Sequence, residues 1–375
     1  MLPTRIDRRQ LLVGAGAVLA TPAFAQARPS LAQAAKARGI RFGSAANVKT
    51  GIDDPQIAAL LLRECAIIVP GNELKEYTIR ADAHPDTDDF APGDQLLAFC
   101  RAHGLAMRGH NLYWAKDEYT PKWLVNHDFG PNPKVGAEAW LRDYIGRVCD
   151  HFGEALTSWD VVNEAIDERT GEIRSTVMSR ILGRDYLRIC FEAARDHLPH
   201  TQRVYNDYMS WGANGAVHRK AVLDLLRAFR DAKIPVDALG IQGHIGTDQG
   251  PGKQIAGDSA PQYDAWRAFL RDVEGLGYGM LVTEFDVNDR KVDGDIAARD
   301  QAVADTAKTF MDLTLDCRAV KDFLCWGLDD GHSWLQHTTG RADHLPLRPT
   351  PYDDHFQPKP LRAAMMAAFA GAPAR

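Results

Sequence analysis

The strongest constraint on this chain is an alternation that repeats eight times: a short apolar run of strand-forming residues, then a stretch with helical periodicity. The strand-like runs fall at 41–45, 66–69, 106–109, 158–162, 203–205, 238–242, 280–283 and 322–326. Helical patterns lie between them at 54–65, 93–103, 136–152, 183–197, 216–232, 263–276 and 296–314, and an eighth at 358–369 closes the series. Strand-then-helix units demand a parallel sheet, because parallel neighbours need a crossover. Eight units without a break in composition predict a single (β/α)8 barrel over residues 26–375, a length such a barrel accommodates. An open doubly wound sheet shares the alternation, but no Gly-x-Gly-x-x-Gly follows the first run. The Gly-rich segment 246–259 reads as a loop after the sixth strand.

Residues 1–25 read as an export signal: Arg8-Arg9-Gln10-Leu11-Leu12, an apolar run over 11–20, and the small-residue cleavage site Ala23-Phe24-Ala25. The paired arginines point to the twin-arginine route, with the general secretory route as the alternative, and periplasm versus medium stays open. The run is too short to span a bilayer and nothing like it recurs, so no membrane insertion is expected. The formal net charge is −6, more negative once Arg5, Arg8 and Arg9 are removed. That disfavours nucleic acid, whose binding rests on Lys and Arg neutralising phosphates, and leaves a neutral polymer compatible. Six cysteines are too few for a disulfide scaffold and form no Cys-x-x-Cys; whether Cys317 and Cys325 pair is open.

In a barrel of this kind the site lies where strands end, and here the strand ends are repeatedly polar. The second run leads into Asn72, Glu73 and Lys75, the third into His110 and Trp114, and the fourth into Asn163 and Glu164. The fifth ends in Asn206-Asp207-Tyr208, the sixth in Gln242-Gly243-His244, the seventh in Thr283-Glu284-Phe285-Asp286, and the eighth in Trp326, with Trp334 beyond. Burying so many unpaired polar groups costs on the order of 1 to 3 kcal/mol each, so their convergence on one rim calls for a ligand. Two carboxylates across a barrel mouth can straddle a bond, and glycoside hydrolysis with retention uses such a pair about 5 to 5.5 Å apart. Trp114, Trp326 and Trp334 offer flat apolar faces to sugar rings, and the amides, His and Lys can bond hydroxyls.

Asn72-Glu73-Leu74-Lys75, Arg108-Gly109-His110, Trp159-Asp160-Val161-Val162-Asn163-Glu164-Ala165, Gln242-Gly243-His244, Thr283-Glu284-Phe285-Asp286 and Trp326-Gly327 with Trp334 follow one another in order. Together they resemble glycoside hydrolase family 10, the xylanases, over about 42–368. The resemblance implies hydrolysis of β-1,4-xylosidic links in xylan or xylo-oligosaccharides by an endo-acting, retaining enzyme. It makes Glu164 the acid/base, Glu284 the nucleophile and Asn163 the partner of the sugar 2-hydroxyl. His244 and Asp286 then orient the nucleophile, Asp160 supports the site, and Asn72, Lys75, His110, Trp114, Tyr208, Gln242, Trp326 and Trp334 contact substrate. While Glu284 is ionised its charge favours a protonated Glu164, and once it has attacked, Glu164 is free to deprotonate water. No cofactor and no metal are called for, and a monomer is expected.

The chain departs from the family pattern at Gly71, where the family usually has Glu, at Glu76, where an apolar residue such as Trp follows the Lys, and at Ala115, where a His is frequent. These changes predict weaker glycone binding and lower turnover on plain xylan. A metal-dependent barrel hydrolase is the main competing reading, but the first strand lacks a His-x-His. A non-catalytic sugar-binding barrel and a related glycosidase acting on another β-glycan are the others.

Overall fold

The computed structural model describes residues 29–250 and 260–375; the expected export signal and 251–259 lie outside them. Ten strands are present among the described residues: β1 Arg41–Ala46, β2 Ile67–Pro70, β3 Ala106–Met107, β4 Gly109–Trp114, β5 Ser158–Asn163, β6 Gln202–Asp207, β7 Ala238–Ile241, β8 His244–Gly246, β9 Gly279–Asn288 and β10 Val320–Cys325. They form one sheet in the order β3-β2-β1-β10-β9-β7-β6-β5-β4, with β8 beside the far half of β9. Every pairing is parallel. Only Arg108 separates β3 from β4, and its N–H still donates to the Ile68 carbonyl, so the two ends of the sheet are one continuous stave and the ring closes.

Crossover helices Pro55–Glu64, Ala91–His103, Pro133–Phe152, Asp185–His197, Ala216–Asp231, Ala260–Gly275 and Ile296–Leu315 follow the staves, and Pro360–Gly371 completes the outer layer. Their starts are written locally. Asp54 accepts the N–H groups of Gln56 and Ile57 ahead of a proline at the first turn, and Asp295 accepts that of Ala298. Along β2 the side chains alternate: Ile68 packs outward into the main core under the helices, whereas Ile67 and Val69 join Leu324 and Trp326 inside the ring. Val204, Ala238 and Leu281 fill the opposite side of the interior. Each buried Ile, Val or Leu among them contributes roughly 1.5 to 3 kcal/mol by burial.

Two staves differ from expectation. The third runs on to Trp114, because Arg108 is fully buried and its guanidinium is answered by Asp160 and Ser158 rather than by solvent. The seventh runs to Asn288, since residues 286–288 pair with β8, which uses the start of the segment read as a loop. All six cysteines are free, Cys317 and Cys325 included. The two ends of the described chain are tied to different parts of the barrel. Ser30 caps the first helix, whose Leu31 N–H donates to buried Glu64, and the Arg375 guanidinium bonds the Val320 carbonyl where β10 begins.

Candidate active site

At the carboxyl ends of the staves the backbone lifts the polar side chains into one cleft of about 540 Å³. Asn72, Lys75, Trp114, Glu164, Tyr208, Gln242, His244, Trp326 and Trp334 line it. His110, Asn163, Asp160, Glu284 and Asp286 stand in the layer beneath, all nearly inaccessible. Glu164 ends β5 in the left-handed region (φ 58°), its N–H donating to the Asn206 carbonyl at 2.9 Å. Such a conformation costs a glutamate on the order of 1 to 3 kcal/mol and is kept where it aims a side chain.

One amide network joins the two glutamates. Gln242 Nε2 donates to Glu164 Oε1 at 2.8 Å, and Asn163 Nδ2 faces the same oxygen at 3.4 Å. Asn206 Nδ2 donates to Asn163 Oδ1 (2.9 Å) and to Glu284 Oε1 (2.7 Å), while Asn206 Oδ1 accepts from Thr283 at 2.7 Å. Asn206 fits because its neighbour on β7 is Gly240: a Cβ there would stand 2.3 Å from Asn206 Oδ1. Asn206 was legible as a polar strand end, but its role was missed because bridging two carboxylate-bearing staves depends on the ring.

Glu284 sits among cations. His244 Nε2 lies 3.3 Å from Oε2 and His110 Nδ1 3.9 Å from Oε1. Burial alone would push this carboxyl up, but the charge of His110, the bond and charge of His244, and the charge of Lys75 outweigh it and hold it down to about 2. His244 is desolvated too, which works against its charged form. Asp286, whose Oδ2 meets His244 Nδ1 at 2.9 Å, and Glu284 reverse that and raise it well above the usual imidazole range. Trp334 Nε1 donates to the same Asp286 oxygen at 2.7 Å, which ties this half-exposed ring to the carboxylate–imidazole pair. His110 is set in turn by Asp160, 2.8 Å away, itself clamped by both guanidinium nitrogens of Arg108.

Lys75 closes the other end. Its ammonium lies 4.7, 5.7 and 5.9 Å from the ring centroids of Trp114, Trp326 and Tyr77, and 3.3 Å from Asn72 Oδ1. Burial lowers its affinity for the proton, against the opposing charges of Glu284, Glu164 and Glu73. Trp114 is stacked on Tyr119 at 4.0 Å and 13°.

The three departures behave differently from one another. Gly71 does border the cleft, and the space its side chain would take is filled by Asn47, whose Oδ1 lies 2.4 Å from a built Cβ and accepts from Asn72 at 3.3 Å. Glu76 and Ala115 are buried and do not line the cleft themselves. The residue beyond Ala115 does matter: Lys116 Nζ stands 2.5 Å from Glu164 Oε2. Lys116, Asn47, Tyr77 and Tyr119 went unnoticed because each looks like an ordinary polar loop residue in sequence. His332 also borders the cleft. Among the described residues no three His, Cys, Asp or Glu side chains are grouped to hold a metal ion, and no helix is long and apolar enough to cross a membrane.

A parallel (β/α)8 ring with two buried, differently partnered glutamates at its mouth and aromatic faces around them defines a barrel glycosidase. The comparisons narrow this. Residues 30–368 match the model of glycosyl hydrolase family 10, and the chain belongs to that family. It is 29% identical over 360 residues to endo-1,4-beta-xylanase 1 of Humicola insolens, covering 93% of this chain and 77% of the relative. Among solved structures it resembles native xylanase 10B from Thermotoga maritima (26% identity, 91% of this chain and 98% of that one, TM-score 0.79). It also resembles xylanase 10B from Thermotoga petrophila RKU-1 in complex with xylobiose (25% identity, 91% and 97%, TM-score 0.78).

Proposed function

We propose that this protein is an endo-acting xylanase that cleaves β-1,4-xylosidic links with retention, Glu284 being the nucleophile and Glu164 the acid/base. The observation that carries the reading is a pair of carboxylates joined by one amide network at the barrel mouth, of which Glu284 is held down by His110, His244 and Lys75 while Glu164 lines the cleft. In the first step Glu284 attacks the anomeric carbon, the glycosidic C–O bond breaks, and the proton of Glu164 goes to the leaving oxygen. In the second, water attacks the same carbon, its proton passes to Glu164, and the ester bond to Glu284 breaks. On this reading Asn163 meets the 2-hydroxyl of the sugar under attack and Lys75 with Asn72 bonds the glycone; the contact of Lys75 with Asn72 and with the faces of Trp114 and Trp326 supports it. The names of the relatives support xylan or xylo-oligosaccharides as substrate. We further propose export from the cytoplasm, on the leader sequence alone.

Product analysis by nuclear magnetic resonance on xylo-oligosaccharides tests substrate and stereochemistry together. A β-anomer as first product of internal cleavage is expected, and an α-anomer would overturn the retaining reading. Glu164→Gln and Glu284→Gln should each abolish hydrolysis of xylan.

A further inference from the structure

The cation nearest the Glu164 carboxylate is Lys116, in the turn after β4, with Nζ 2.5 Å from Oε2. Two aromatic faces hold this ammonium in place, Tyr208 at 5.0 Å and Tyr119 at 5.9 Å from the ring centroids. Tyr208 is itself fixed: its hydroxyl donates to Glu168 Oε2 at 2.6 Å and accepts from Arg174, which also bonds the Glu164 carbonyl at 3.1 Å. The Lys116 side chain is 21% exposed, so its charge is partly withdrawn from solvent screening. The Lys75 ammonium, from the loop after β2, also interacts with Glu164 by its charge, His244 of β8 lines the same cleft, and Glu284 of β9 lies across the amide network. Arg174 reaches only its backbone, and Gln242 supplies a neutral donor to Oε1.

Gln242 thus donates to Oε1 of Glu164, and Oε2 faces the Lys116 ammonium as an ion pair. Oε1 is taken by Gln242, so a leaving sugar has to bring its bridging oxygen to Oε2. The ammonium fills that place.

We propose that Lys116 is a positioning residue that couples the state of Glu164 to occupancy of the leaving-group side of the cleft. With that side empty, the ammonium pairs with Oε2; an incoming sugar displaces it, and the freed carboxyl passes to the leaving oxygen a proton taken from solvent. The coupling rests on the two-step mechanism proposed above and matches its order. The first step needs the acid while the leaving sugar is present, and the second needs the carboxylate after that sugar has departed.

The test compares Lys116→Met, which keeps the stem and removes the charge, with Lys116→Arg, which keeps the charge. With xylo-oligosaccharides, the alkaline limb of kcat/KM should move to higher pH in Lys116→Met by about one unit or more, the scale expected for losing an adjacent opposite charge. With an aryl β-xylobioside carrying a good leaving group, the second step limits kcat, and its acidic limb should also move up by about one unit. Lys116→Arg should leave both limbs near the parent positions. The proposal is overturned if both limbs stay put in Lys116→Met, or if Lys116→Arg moves them as far, since a merely structural lysine would not discriminate by charge. Failure of the two-step mechanism shows separately, as absence of a burst of leaving group in the parent protein and activity retained in Glu284→Gln.

Discussion

Glu76 follows Lys75 directly, yet its side chain turns away from the cleft into the packing beneath it, where only 3% of the residue is accessible. Burial pushes its carboxyl from the ordinary 4.5 up to about 8, the charge of Arg80 opposing this only in part. In the unfolded chain the same group ionises near 4.5, so between that pH and 8 the unfolded state binds fewer protons than the folded one. Stability must then fall as pH rises through this window. At about 1.4 kcal/mol per pH unit, the penalty accumulated by pH 7 is roughly 3 kcal/mol. Glu76→Gln keeps the volume and cannot ionise, so the variant should lose this slope. Urea unfolding of the parent and the variant at pH 4.5, 6, 7 and 8 measures it. The difference between them should widen in favour of glutamine by about 3 kcal/mol from pH 4.5 to 7, whatever constant offset the amide introduces. Parallel pH curves would refute the reasoning, and would mean that the carboxyl is ionised in the folded protein.

The nucleophile should behave in the opposite sense. Held down to about 2, Glu284 stays ionised far into acid, and its contribution to activity is lost only as pH falls towards that value. His244→Ala should move the acidic limb of kcat/KM to higher pH and lower activity on the order of 10²-fold through loss of orientation, as read in a pH-rate profile. Asp160→Ala should cost about 3 to 5 kcal/mol of unfolding free energy by leaving the buried Arg108 guanidinium unpaired, with denaturant titration as the measure. Gly71→Ala should drive Asn47 from its place beside Asn72 and raise KM for long xylo-oligosaccharides several-fold with little change in kcat, the signature of lost uniform binding.

The staves were legible because each is a short run buried on both faces, and the crossover helices because their apolar faces repeat at helical spacing. The boundaries that escaped have local causes. Arg108 looks like the end of a strand until its partners Asp160 and Ser158 are known, and the alternation of Glu284 and Asp286 looks like a loop until β8 is seen beside it. At the site, residues on strand ends could be read directly, because the barrel dictates where strand ends go. Lys116 and Asn47 could not, since each lies on a turn and acquires its meaning from a partner at a distance, Glu164 and Asn72 respectively. Glu76 shows the converse: its place in the sequence is beside a cleft residue, and its side chain is in the core.

Because Arg375 is bonded where β10 begins, at the floor of the ring, with the mouth at the opposite pole, anything tethered through it hangs from the underside. Bead-bound protein coupled there would present its opening outward to a bulky, insoluble polysaccharide, whereas coupling through exposed lysines near the rim, such as Lys291, would turn that opening towards the support.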